Sequence, residues 1–186
     1  MNSQAKLGMR SCRGQALAES AMLLAVFFIF LTFPLMNLGA MGMRACFVMN
    51  SAKVGSERAC KALTYRVAAN VPAGTLANNV PAEFVARTEV NRYLNSFSGA
   101  RVIDVKTGIV DIDNASGAKV GPTYAPLTSR PQDGHTYYID VLVRAETDPL
   151  LSYKGGWLGD IPGLTAPFPL AIHGQRVFEN PKGLML

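Results

Sequence analysis

The side chains able to do chemistry are few, and their spacing argues against a catalytic centre. His135 sits in a turn-like Asp133-Gly134-His135 context and His173 in a stretch of strand character. Neither has a second His or Cys at ligand spacing, so no zinc site is expected. Asp111 and Asp113 stand two apart beside a turn, but no acidic residue closes a calcium loop, and a solvated strand edge is the simpler reading. No Gly-x-Ser-x-Gly, no Walker loop and no Gly-x-Gly-x-x-Gly follows a strand-like run. Trp157, flanked by Gly155-Gly156 and Gly159, reads as a ring folded back on a sheet, with a surface anchor as the other reading. The expectation is a protein without catalysis, metal or cofactor. One ionisable group does stand out. Glu19 lies at the head of an apolar run, where a carboxylate is costly and calls for a partner or a role.

That run, Ser20 to Met43, holds 24 residues without a charge. As a helix it covers ~36 Å, enough to cross a hydrocarbon core of ~30 Å with some tilt. Lys6, Arg10 and Arg13 precede it with no acid among them, and downstream only Arg44 is close. The positive-inside bias keeps residues 1–13 in the cytoplasm and sends the rest outside. The run is nearly twice the ~7–15 apolar residues of a secretory signal peptide, and Leu38-Gly39-Ala40 is a poor cleavage match. A plain signal anchor accounts for length and orientation but not for Gly14 and Glu19 at their spacing. Pro34, inside the run, should kink it by removing a backbone hydrogen bond.

A short basic leader, a Gly, four residues that are mostly small or apolar, a Glu and an apolar helix together resemble the class III signal of type IV pilins. The segment Arg13-Gly14-Gln15-Ala16-Leu17-Ala18-Glu19 and the run after it are most similar to TadE-type minor pseudopilins of the tight-adherence (Flp, type IVb) pilus system. Ser20 stands where that family usually has an aromatic residue, a departure that speaks against the major pilin. The stretch Ser51 to Leu63 resembles the family at Ala52, Gly55, Arg58 and Ala59, and the ending Glu179-Asn180-Pro181 resembles its close.

The resemblance implies a prepilin peptidase that cuts after Gly14, making Gln15 the new N-terminus and Glu19 the fifth mature residue. It implies a processed minor pseudopilin acting in pilus biogenesis and surface attachment. Its partners would be other pseudopilins, the Flp pilin, the inner-membrane assembly platform and the lipid bilayer. It places the chain in the bacterial inner membrane as a single-pass protein, N-terminus inside and C-terminal domain periplasmic or extracellular. Two other readings remain open: an unprocessed single-pass membrane-anchored binding protein, and a type II secretion pseudopilin, which usually starts its mature chain with Phe.

The net charge of +5 does not point to nucleic acid. Without Lys6, Arg10 and Arg13 there remain 15 basic residues against 13 acidic. Of the three cysteines, Cys12 falls in the leader. Cys46 and Cys60, if on one straight helix, are ~21 Å apart, whereas a bridge needs Cα atoms within ~7 Å. They are therefore buried thiols, links between subunits, or signs of a break near Gly55.

The division expected is a basic leader over 1–14, a transmembrane helix over 15–43 and an extracytoplasmic α+β, pilin-like domain over 44–186. Ala45, Val48, Ala52, Gly55, Ala59 and Ala62 recur at helical spacing, which predicts one helix from Arg44 to about Asn70, its small-residue stripe packed on the chain's own sheet or on another subunit. Asn70 to Gly74 should end it. A second helix should open at Asn79-Val80-Pro81, bury Phe84, Val90, Leu94 and Phe97, and stop at Ser98-Gly99. Arg101 to Asp113 predicts a bulged strand or a tight hairpin at Thr107-Gly108, and residues 118–135 a loop. The clearest strand has Tyr137, Ile139, Val141, Val143 and Ala145 on one face and Tyr138, Asp140, Leu142, Arg144 and Glu146 on the other. After a loop over 148–169, Leu170 to Phe178 predicts the last strand of a small, mostly antiparallel sheet.

Overall fold

A computed structural model describes residues 5–66, 80–151, 163 and 165–185, with side chains from Ala16 onward. Its architecture is α+β: a long N-terminal helix, a second helix and a four-stranded antiparallel sheet. The N-terminal helix comprises α1 (Ala5–Phe27), a π-helical turn (Phe28–Thr32) and α2 (Phe33–Ala59). Pro34 falls in the first turn of α2, and the Phe33 N–H reaches Phe28 O, one residue beyond the α-helical register. The helix thus absorbs the missing proline donor in a widened turn.

The globular part begins to cover this helix at Asn37 and Ala40, earlier than the boundary at 43/44 that charge alone suggests. From Val48 on, the small-residue stripe faces inward: Val48, Ala52, Gly55 and Ala59 are buried against the chain's own sheet and the second helix. A Cβ on Gly55 would lie 2.7 Å from Val90 Cγ2, so the two helices meet with no room for a side chain there. The buried hydroxyls of Ser51 and Ser56 donate back to Val48 O and Lys53 O within the helix at 2.7 and 2.9 Å.

The long helix stops at Ala59, the last buried residue of the stripe, not near Asn70. The C-terminal stretch takes over its open carbonyls: the Glu179 N–H donates to Cys60 O at 3.0 Å and the Asn180 side-chain amide to Leu63 O at 3.0 Å. The Tyr65 N–H in turn donates to Gly183 O. These tertiary bonds replace further helical ones. The breakers expected from Asn70 to Gly74, and Asn79, lie outside the described residues.

The second helix, α3, runs Ala82–Leu94 with Pro81 as N-cap. Its buried face is Ala82, Ala86, Val90 and Leu94. Phe84, expected inside, is exposed. Phe97, past the helix end, stacks on Phe47 with ring centroids 4.1 Å apart. Glu83 pairs with Arg66 at 2.8 Å, and that hydrogen bond holds its carboxyl below the usual range.

The strands β1 (Ala100–Asp113), β2 (Lys119–Thr123), β3 (His135–Thr147) and β4 (Phe168–Val177) assemble in the order β2-β1-β3-β4. Of the two forms open for residues 101–113, the single bulged strand is found, with an irregularity between Val102 and Asp104. β2 corrects the expected loop: it is an edge strand, exposed throughout, and among the described residues it pairs with β1 alone. In β3 every residue of the expected inner face is buried, from Tyr137 to Ala145. β4 lies directly under α2, where a Cβ on Gly174 would come 2.3 Å from Ala52 O.

Tyr65, fully buried, donates its hydroxyl to Thr107 O at 2.5 Å, and desolvation pushes its pKa up to about 12. The buried Thr107 hydroxyl finds no hydrogen-bond partner among the described residues. Thr107→Val keeps the shape and removes the stranded polar atom, so thermal unfolding should show a gain of about 1 kcal/mol. A loss of stability would mean that this hydroxyl is satisfied.

Candidate functional site

The residues singled out at the N-terminus are placed by one continuous helix. Gly14 and Gln15 lie in the α1 backbone. Glu19 is exposed on it, one helical turn from Gln15. From Ala16 to Met36 every side chain is exposed except the half-buried Thr32, and the exposed set includes Leu17, Met22, Leu23, Phe28, Ile29, Phe30 and Leu35. The Ser20 hydroxyl is satisfied within the helix by Leu17 O at 3.0 Å. These 21 residues extend ~31 Å, about one hydrocarbon thickness. The helix is therefore long and apolar enough to cross a membrane, and among the described residues the part from Ala16 to Met36 is left exposed.

The bare segment ends at a collar. Asn37, buried at 2% exposure, accepts from the Leu151 N–H at 2.9 Å and donates to Leu151 O at 3.0 Å, pairing with one backbone unit as a strand neighbour would. Two turns on, the Arg44 guanidinium donates to Asp148 O, and the Asp148 N–H closes onto Gly99 O at 2.9 Å. Met41 lies against Gly163. The described part of the 148–169 loop therefore grips the helix. Trp157 lies outside the described residues.

The cysteines occupy different environments. Cys46 is exposed on α2; Cys60, at its C-cap, is buried with its thiol directed at Glu57 O, 3.1 Å away. One continuous helix joins them. Of the two thiols considered for a link between subunits, only Cys46 is presented to one. Burial, followed by the nearby Glu179 charge, raises the Cys60 pKa, so it holds less reactive thiolate at neutral pH. Alkylation of the native chain should label Cys46 and spare Cys60, and denaturation should equalise them; peptide mass spectrometry reads both. Equal native labelling would contradict the buried helix end.

The histidines have partners that spacing along the chain does not show. His135 Nδ1 lies 2.8 Å from Asp111 Oδ1, across the β1–β3 ladder. His173 Nδ1 lies 2.8 Å from Asp140 Oδ2, and Gln175 Nε2 donates to Asp140 Oδ1 at 2.9 Å. Asp140 is wholly buried in a central strand, so this pair of contacts latches β4 to β3. A His–carboxylate pair is also the orienting half of a hydrolytic triad; across the ladder from His173 stands Leu142. Asp113 caps the turn after β1, accepting from the Ala115 N–H at 2.9 Å and the Ser116 hydroxyl at 2.5 Å; these bonds hold its carboxyl low. No group of three metal-ligating side chains occurs among the described residues.

Comparison with protein-family models, with curated proteins and with solved structures returns no match.

Proposed function

We propose that the chain is a minor pseudopilin of the TadE type. It is inserted in a bacterial inner membrane with residues 1–13 in the cytoplasm, cut after Gly14 by a prepilin peptidase, and used in the biogenesis of a Flp-type pilus. The observation that carries this reading is the division of the N-terminal helix. About one membrane thickness stands bare from Ala16 to Met36, headed by Glu19, and the globular domain takes hold only from Asn37. A bare, apolar, lightly interrupted helix suits lateral packing with like helices, first in lipid and then in a filament core. The globular domain would remain outside and meet other pilus components. The spacing of Gly14 and Glu19 supports the same reading, since a plain anchor needs neither.

The N-terminal residue of the protein recovered from membranes tests this. Gln15 is expected; an intact Met1 would favour the unprocessed, membrane-anchored binding protein. Gly14→Val should block the cut by placing a branched side chain where the peptidase accepts Gly. The retained leader adds about 1.5 kDa on a blot, from 14 residues of average mass. Unchanged mobility of this variant beside an active peptidase would sink the proposal.

A further inference from the structure

The collar sets the height of the globular domain on the helix, and two of its residues face outward. Leu150 and Leu151 are 48% and 43% exposed, at a corner where a soluble loop would place polar side chains. Their level is fixed by the two hydrogen bonds between Asn37 and the Leu151 backbone. On the helix at that same level, Leu35, Met36 and Leu38 are exposed too. Whatever solvates those three side chains also solvates the corner. Arg44, the first charge after the apolar run, lies seven residues further along, ~10 Å up the helix axis. The corner thus sits on the apolar side of that charge. The pairing also explains how Asn37 is tolerated there: its amide is satisfied by backbone, which is itself satisfied by the amide.

We propose that the Leu150–Leu151 corner is a membrane wedge, inserted at the boundary between headgroups and acyl chains of the outer leaflet. The occupant of this surface is phospholipid, continuous with the lipid around residues 16–36. The wedge rests on the reading of that segment as a membrane span. It sets the tilt of the globular domain, because a second point of entry beside the helix removes rotation about the helix exit.

Site-directed fluorescence on the full chain tests it. Cys12, Cys46 and Cys60 are replaced by Ser, and single cysteines carrying a nitrobenzoxadiazole probe are introduced by Leu150→Cys, Leu151→Cys, Leu24→Cys and Ala115→Cys. All four positions are exposed, so labelling disturbs no core. The chain is reconstituted in phosphatidylcholine vesicles with nitroxide-bearing lipid, placed either high or low on the acyl chain. Probes at 150 and 151 should emit to the blue and be quenched mainly by the high nitroxide. The probe at 24 should be quenched mainly by the low one, and the probe at 115 should stay water-like. Water-like emission at 150 and 151 with a lipid signal at 24 overturns the wedge and leaves the span intact. Blue emission at 150 and 151 without quenching means that protein covers the corner, which also overturns it. Water-like emission at 24 as well removes the span, and the wedge with it.

Discussion

Gly174→Ala unfolds the globular domain while leaving the apolar helix able to enter a membrane. The single added carbon would lie 2.3 Å from Ala52 O, 2.5 Å from Ala52 C and 3.0 Å from Lys53 N, all backbone atoms of α2. A flexible side chain could swing away; a helix backbone at the centre of a packed layer cannot. To relieve the overlap α2 must lift from β4, which uncovers Val48, Ala52 and the residues of β3 beneath them. Overpacking of this kind costs about 3 kcal/mol or more when the neighbour is rigid. Gly42→Ala is the control: Gly42 lies in α2 itself, its Cβ would meet nothing within 4 Å, and the change should be neutral or slightly stabilising. Protease resistance and thermal unfolding of the full chain in detergent measure both. Equal stability of the two variants would mean that α2 does not seat on β4 as described.

This contact shows where the sequence is legible. Alternation betrays β3 because its inner face, Tyr137 to Ala145, is large, apolar and unbroken. The stripe along α2 was equally readable as a helix, but whether it packs at home or on another subunit depends on Gly174 and Gly55, whose value is the absence of a side chain. The same closeness misleads at α3. Size suggests Phe84 as an anchor, yet the helices approach near enough that Ala82 and Ala86 fill the space and Phe84 is left outside. β2 carries no burial signal because both its faces are exposed and Gly121-Pro122 interrupts it; only its ladder with β1 makes it a strand.

At the candidate site, legibility follows sequence distance. Gly14 and Glu19 declare themselves because their relation is local. Asn37 is the lone amide side chain in an apolar run, and its partner Leu151 lies 114 positions on, in a segment with no regular pattern. Asp140 offered a usable signal: a carboxylate in the middle of the strongest strand requires a partner, and residues two apart on an adjacent strand, His173 and Gln175, can supply it. The end of α2 offered none, because the groups that stop it at Ala59 come from Glu179 and Asn180 at the other end of the chain.

If the proposed function holds, Glu19→Gln should leave insertion and cutting after Gly14 intact and abolish incorporation into pili. A neutral amide enters lipid at lower cost than a carboxylate, so nothing about insertion should suffer. Gly14 and Gln15 are untouched, which keeps the cleavage site. Assembly is different. In the proposed filament the helices from Ala16 to Met36 leave lipid and pack on one another, carrying residue 19 into a water-poor core together with the free ammonium of a neighbouring Gln15. The two charges offset each other there. With Gln at 19 the ammonium stays in the core with its counter-charge gone. Removing one member of a buried ion pair costs about 3 kcal/mol, roughly a hundredfold in an assembly equilibrium. Glu19→Asp, which keeps the charge on a shorter arm, should recover part of the yield. The processed fraction, from blots, and the pilus yield, from sheared cell surfaces, must be measured in the same cells. Full processing with undiminished pili in Glu19→Gln would show that residue 19 makes no assembly contact, and the chain would then be read as a simple anchor bearing an outer domain.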